Sequence, residues 1–107
     1  MKKGEFVRRV VAWSPRAEID LLNIWRYVAS ESLASTADRA LKEIYRTAWL
    51  LGGYPEFGRP RDDVRAGLRS VLAQRYVIFY RVKPKAVEIV RVLDERRDVD
   101  AIFSYEA

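Results

Sequence analysis

The chain has 107 residues, half of them apolar and a third charged, which bounds it to one domain with a single hydrophobic core. It contains neither cysteine nor histidine, so a disulfide framework, a thiolate metal site, a cysteine nucleophile and an imidazole base are excluded. Net charge is +5, and residues 59 to 91 alone carry nine basic against three acidic residues. Arginine dominates, and its planar fork suits phosphate or carboxylate, so an anionic partner competes with a plain solvated surface.

Phe6 to Trp13 (FVRRVVAW) reads as a first strand. Its apolar part is too short for a signal peptide, and no run approaches a membrane span, so the chain is expected in the cytoplasm with no membrane partner. Ser14-Pro15 ends the strand and starts a helix, serine being a favoured N-cap and proline a favoured first helical residue. Leu21, Trp25 and Val28 recur at i, i+4, i+7, with Leu22 and Ala29 widening the stripe, so this helix has one apolar face and runs to about Ser32. Ser35 to Asp38 predicts the next start, a capping-box-like pattern with Asp in place of Glu. Ala37, Leu41, Ile44, Ala48 and Leu51 form that helix's stripe, and Gly52-Gly53 should stop it in the manner of a C-cap. The short connection predicts antiparallel neighbours whose joint apolar face covers one side of a sheet.

Tyr54 to Gly67 (YPEFGRPRDDVRAG) holds two prolines and two glycines and reads as a loop. Leu68 to Gln74 predicts a short strand. The strongest signal follows. Tyr76 to Val82 and Val87 to Leu93 are runs of β-branched and aromatic residues flanking Lys83-Pro84-Lys85, which predicts an antiparallel hairpin. Strict alternation puts Tyr76, Ile78, Tyr80 and Val82 on one face of the first strand. In the second strand it groups Val87, Ile89, Arg91 and Leu93. Val99, Ile102 and Phe103 fit a short terminal helix or a docked tail. The expected order is β-α-α-β-β-β, an α+β fold with an N-terminal helical hairpin packed on a mostly antiparallel sheet, as one domain over residues 1–107.

Three local patterns add to this order. They are Trp13-Ser14-Pro15-Arg16-Ala17 continuing to Asp20-Leu21 and Ile24-Trp25; then Pro55-Glu56-Phe57-Gly58-Arg59-Pro60 and Gly67-Leu68-Arg69-Ser70; then Arg75-Tyr76, Ile78-Phe79-Tyr80-Arg81 and Arg91-Val92-Leu93 with Arg97-Asp98. Together they resemble the RelE/ParE toxin superfamily, the ParE branch most closely, over about residues 10 to 103. One departure shows: Asp94 stands where the family often has His. The resemblance implies the toxin of a bacterial type II toxin–antitoxin pair. It implies a ParD-like antitoxin, small and with an acidic C-terminal tail, bound in a heterotetramer or larger complex. It also implies either poisoning of DNA gyrase, as in ParE-like members, or ribosome-dependent messenger cleavage, as in RelE-like members. An inactive relative that only binds antitoxin is the third reading.

The resemblance makes Arg59, Arg61, Arg69, Arg81, Arg91, Arg96 and Arg97 the candidate target contacts. Trp49, which falls off its helix stripe, and Tyr76 and Phe79 are the candidate antitoxin contacts. No catalytic residue, cofactor or metal ligand is assigned. RNA cleavage needs a base for the 2′-hydroxyl, a cationic clamp and an acid. Cleaving relatives place a Glu after a Gly-basic-Pro triplet, where this chain has Arg61, or a Tyr six residues after a C-terminal Arg, where counting from Arg96 gives Ile102. Glu56, Tyr76, Tyr80 and Tyr105 remain as proton carriers, and an isolated tyrosine with a pKa near 10 is a poor base. The expectation is therefore a gyrase poison rather than a nuclease.

Overall fold

A computed structural model describes residues 7–105. Phe6, the predicted start of the first strand, lies outside them, and the described strand β1 is Val10–Trp13. Ser14 turns the chain into helix α1, Pro15–Glu31, by capping it: its Oγ accepts from the Ala17 amide at 3.0 Å. The same hydroxyl donates to the Val90 carbonyl at 2.8 Å, which ties the strand–helix corner to the sheet.

Helix α2, Ala34–Gly53, returns antiparallel beside α1. Its start differs from expectation. Leu33 is the N-cap residue, and its apolar side chain offers no cap bond; the Asp38 carboxylate accepts from Trp25 Nε1 at 2.8 Å. Trp25 thus joins the two helices at a half-exposed position, while Ala17, Asp20 and Leu21 make the buried line of α1 and Leu22 faces solvent. The double glycine does not cap α2 either, since Tyr54 follows the helix and donates to the Leu50 carbonyl. Gly52 is needed for close approach: a Cβ there would meet the Arg9 carbonyl at 2.6 Å, beside the bond from the Arg9 amide to the Gly52 carbonyl.

The remaining strands are β2 (Arg59–Pro60), β3 (Arg69–Ala73), β4 (Tyr76–Val82) and β5 (Ala86–Asp94), followed by helix α3 (Val99–Tyr105). They form one five-stranded sheet in the order β1-β5-β4-β3-β2, with β1 parallel to β5 and every other pair antiparallel. The two-residue β2 was not separable from the loop in the sequence. The turn between β3 and β4 places Gln74 at φ 58°, the left-handed region.

The apolar side chains fall into two cores, one on each face of the sheet. Ala17 and Leu21 of α1 and Ile44, Ala48 and Leu51 of α2 pack on Ile78, Tyr80, Val87, Ile89 and Val92. On the opposite face Leu68, Phe79, Leu93 and Phe103 form a smaller cluster, closed by α3 and the turn around Val64. Strict alternation along β5 fails at one point. Phe79 pairs with Arg91 but Tyr80 pairs with Ile89, so Val90 is an extra residue. This bulge sends Val92 to the helix side with Val87 and Ile89, and Leu93 to the other side with Phe79.

Candidate functional site

The seven arginines expected to face a target do not form one surface. Beyond Trp13 there is no β1 to pair with β5, so the second half of β5 is a free edge against α1. Asp20 fills that place. Its carboxylate accepts from the Val92 amide at 2.9 Å and takes a bidentate pair from Arg91, 2.7 Å from Nε and 2.8 Å from Nη2. Arg91 is 4 % exposed. The bulge and the bare edge thus place Arg91, expected as a target contact, as a buried brace between α1 and the sheet.

Asp94, one strand end further on, gathers two more. Arg75 Nη2 lies 2.8 Å and Arg96 Nε 3.1 Å from its carboxylate oxygens. The Arg96 hydrogen bonds, with help from Arg75, hold the Asp94 carboxyl well below the usual carboxylate range. Arg16, Arg96, Arg97, Ile19, Tyr27 and Tyr76 line a groove of about 750 Å³ between α1 and this end of β5. Arg96 and Arg97 are exposed at its rim.

Arg59, Arg61 and Arg69 lie close in sequence but are divided by the sheet. Arg69 pairs with Tyr80 across the ladder and shares its face, the helix side. There it donates to the Gly58 carbonyl at 3.1 Å and the Glu56 carbonyl at 3.2 Å. Arg61 sits on the other face, over the Phe79 ring at 5.5 Å, bonded to Ser70 Oγ and Asp63. That pairing pulls the Asp63 pKa down. Arg59 is exposed on β2. Arg81, on the Phe79 face, has a buried Nε with no hydrogen-bond acceptor among the described residues.

Among the candidate antitoxin contacts, Trp49 is 61 % exposed and carries the Arg8 guanidinium 3.6 Å above its ring, next to Tyr45 and Val11 in a shallow groove beside β1. Tyr76 is buried against the sheet yet lines the floor of the grooves on either side of the helical hairpin, and burial pushes its phenol pKa up. Phe79 is fully buried under Phe103, ring centroids 5.1 Å apart, so the described chain presents no Phe79 surface to a partner. Alternation along β4 could assign it a face but could not reveal that α3 covers that face.

Of the residues considered as proton carriers, Tyr80 is fully buried and its hydroxyl is fully used: it donates to the Pro55 carbonyl at 2.8 Å and accepts from the Gly58 amide at 2.9 Å. Tyr105 is almost wholly exposed, and Ile102 packs in the α3 cluster. The residue that sequence reasoning overlooked is Phe57, 70 % exposed at the head of the loop that Tyr80 and Arg69 hold. Its position between Pro-Glu and Gly-Arg-Pro was the available signal.

A helical hairpin over a five-stranded mixed sheet is the fold of solved ParE and RelE toxin chains. A chain of the chromosomal ParDE system from P. aeruginosa superposes with a TM-score of 0.71 at 21 % identity, covering 81 % of this chain and 96 % of that one. A chain of the toxin–antitoxin complex RelBE2 from Mycobacterium tuberculosis gives 0.66 at 22 % identity, covering 84 % and 94 %. In sequence the chain is similar to Toxin ParE1 of Caulobacter vibrioides, 34 % identical over 88 residues, 82 % of this chain and 91 % of that protein. The family model of the ParE toxin of type II toxin–antitoxin systems, parDE, matches residues 11–99, and the chain belongs to that family.

Proposed function

We propose that this chain arrests growth by binding DNA gyrase, without cutting RNA, and that a ParD-like antitoxin neutralises it. The observation that carries the non-nucleolytic reading is the commitment of Tyr80. Its hydroxyl holds two backbone groups of the loop and is sealed from solvent, so it cannot reach an attacking 2′-hydroxyl. Arg61, at the position where cleaving relatives keep a Glu, is tied to Asp63 and Ser70, and a guanidinium does not act as a base.

The antitoxin reading is supported by the groove between α1 and β5. Its apolar lining of Ile19, Tyr27 and Tyr76 and its rim of Arg16, Arg96 and Arg97 suit an acidic tail with apolar anchors that folds on binding. Trp49 gives such a tail a second anchor point beside β1. Assembly into a heterotetramer or larger complex belongs to the same proposal. No helix among the described residues is long and apolar enough to cross a membrane; action in the cytoplasm is part of the same proposal.

The test is controlled expression with and without a co-expressed ParD-like antitoxin, then purified chain added to gyrase supercoiling reactions and to programmed ribosomes. Growth arrest relieved by the antitoxin, with lost supercoiling and an intact message, is the expected result. Codon-phased cuts in the message overturn the gyrase reading and establish a nuclease.

A further inference from the structure

The loop from Tyr54 to Arg61 is built to a degree that its exposure does not require. Tyr80 clamps it from below through the Pro55 carbonyl and the Gly58 amide, and Arg69 clamps it from the side through the Glu56 and Gly58 carbonyls. Gly58 has no room for a side chain: a Cβ would meet the Ser70 carbonyl and the Tyr80 hydroxyl, each at 2.6 Å. The Phe57 amide bonds the Tyr54 carbonyl at 3.0 Å, and Arg59 and Pro60 are fixed by pairing with Ser70 and Arg69. This rigid frame presents Phe57, with Tyr54 also two-thirds exposed and Arg59 at the loop's exit.

We infer that Phe57 is the anchor by which this chain docks on its target protein, entering an apolar pocket with a carboxylate at the rim for Arg59. The inference rests on the toxin reading above. Three observations select the occupant. The side chain projects from the surface, so the concavity lies on the partner, and a folded protein has pockets whereas a tail that folds on contact brings side chains. Residues 54 to 65 carry three basic and three acidic groups, and Arg61 and Asp63 cancel each other, which gives a polyanion little to hold. An aromatic carried on a backbone already fixed loses little backbone freedom on binding, and such pre-ordering favours affinity.

The experiment compares wild type with Phe57→Ala and with Arg59→Glu. Both positions are exposed, and unchanged thermal melting verifies the fold. Growth arrest on induction, affinity of the purified chain for gyrase and co-purification with the antitoxin are read together. The expected result is loss of growth arrest, gyrase affinity weakened about ten-fold or more for Phe57→Ala, and antitoxin binding unchanged. Full toxicity in Phe57→Ala overturns the inference and leaves the toxin reading standing. Toxicity retained with antitoxin binding lost overturns it too, and hands the loop to the antitoxin. Weakened RNA binding in place of gyrase binding overturns the protein target. If wild type arrests growth without binding gyrase and Phe57→Ala does not arrest it, with no change in RNA binding, the gyrase reading falls and the docking loop stands.

Discussion

Two parts of the molecule hold arginines still, and they use opposite partners. Along the free edge of β5 the partners are carboxylates: Asp20 for Arg91, and Asp94 for Arg75 and Arg96. Under the Tyr54–Arg61 loop the partners are neutral, since among the described residues Arg69 bonds backbone carbonyls and the loop's second clamp is a phenol. Carboxylates fix an arginine and cancel its charge. Carbonyls fix it and leave the charge in place. The first region therefore depends in part on ionised Asp94, while the frame of the second is held by backbone carbonyls and a phenol that carry no carboxylate charge.

The comparison breaks hardest at Asp20. Asp20→Ala removes the carboxylate that neutralises the buried Arg91 guanidinium and strips the Val92 amide of its acceptor. Breaking a buried pair from one side costs about 3–5 kcal/mol, a large share of a total near 5–15 kcal/mol. Denaturant unfolding should show the variant marginal or unfolded at 37 °C. A cost under about 1 kcal/mol would mean that packing of α1 on the sheet, not the ion pair, secures this edge. Replacing both partners by apolar residues of similar volume should recover most of the loss, because the penalty lies in the orphaned charge.

A smaller effect is expected at the neutral clamp. Tyr80→Phe keeps the ring packed and removes only the hydroxyl, so the Gly58 amide and the Pro55 carbonyl lose one partner each. The cost should be about 1–3 kcal/mol. Hydrogen exchange discriminates further: the Gly58 amide should exchange faster while amides of α1 keep their protection. If α1 loosens in step, the two regions are one cooperative unit and the contrast between them fails.

Much of this was legible before any coordinates. The hairpin of β4 and β5, the serine cap of α1 and the two-helix cover follow from local pattern and composition, which is information each segment carries by itself. What the pattern could not carry was anything set by a second segment. Val90 is extra because Tyr80 pairs with Ile89 while Phe79 pairs with Arg91, a register decided between strands, and that bulge undid the expected facing of Val92 and Leu93. Arg91 looked like a strand arginine open to a partner, and only the distance in space from Asp20, remote in sequence, shows otherwise. Arg61 and Arg69 looked like neighbours on one basic surface. They lie on opposite faces of the sheet, because Arg69 pairs with Tyr80 on the helix side while Arg61, past the end of β2, lies over Phe79 on the other. Asp38 reads as a cap in sequence and serves Trp25 in space.

The mildest effect sharpens the carboxylate side. The folded Asp94 pKa lies below its unfolded value near 3.9, so ionised Asp94 favours the folded state. That contribution is fully present above the unfolded pKa and disappears as pH falls below about 4 toward the folded pKa. Both partner arginines are substantially exposed, so solvent screening keeps the contribution of each pair small. Asp94→Asn should consequently lower stability at pH 7 by a modest amount, flatten the acid limb of a stability-against-pH curve, and leave its shape above pH 5 unchanged. Added salt should shrink the difference between variant and wild type, since these charges meet solvent, whereas the Asp20→Ala penalty should hardly respond. An acid limb that keeps its full slope in Asp94→Asn would assign the low-pH loss to other carboxylates and remove Asp94 from the set of groups that make this edge sensitive to protonation.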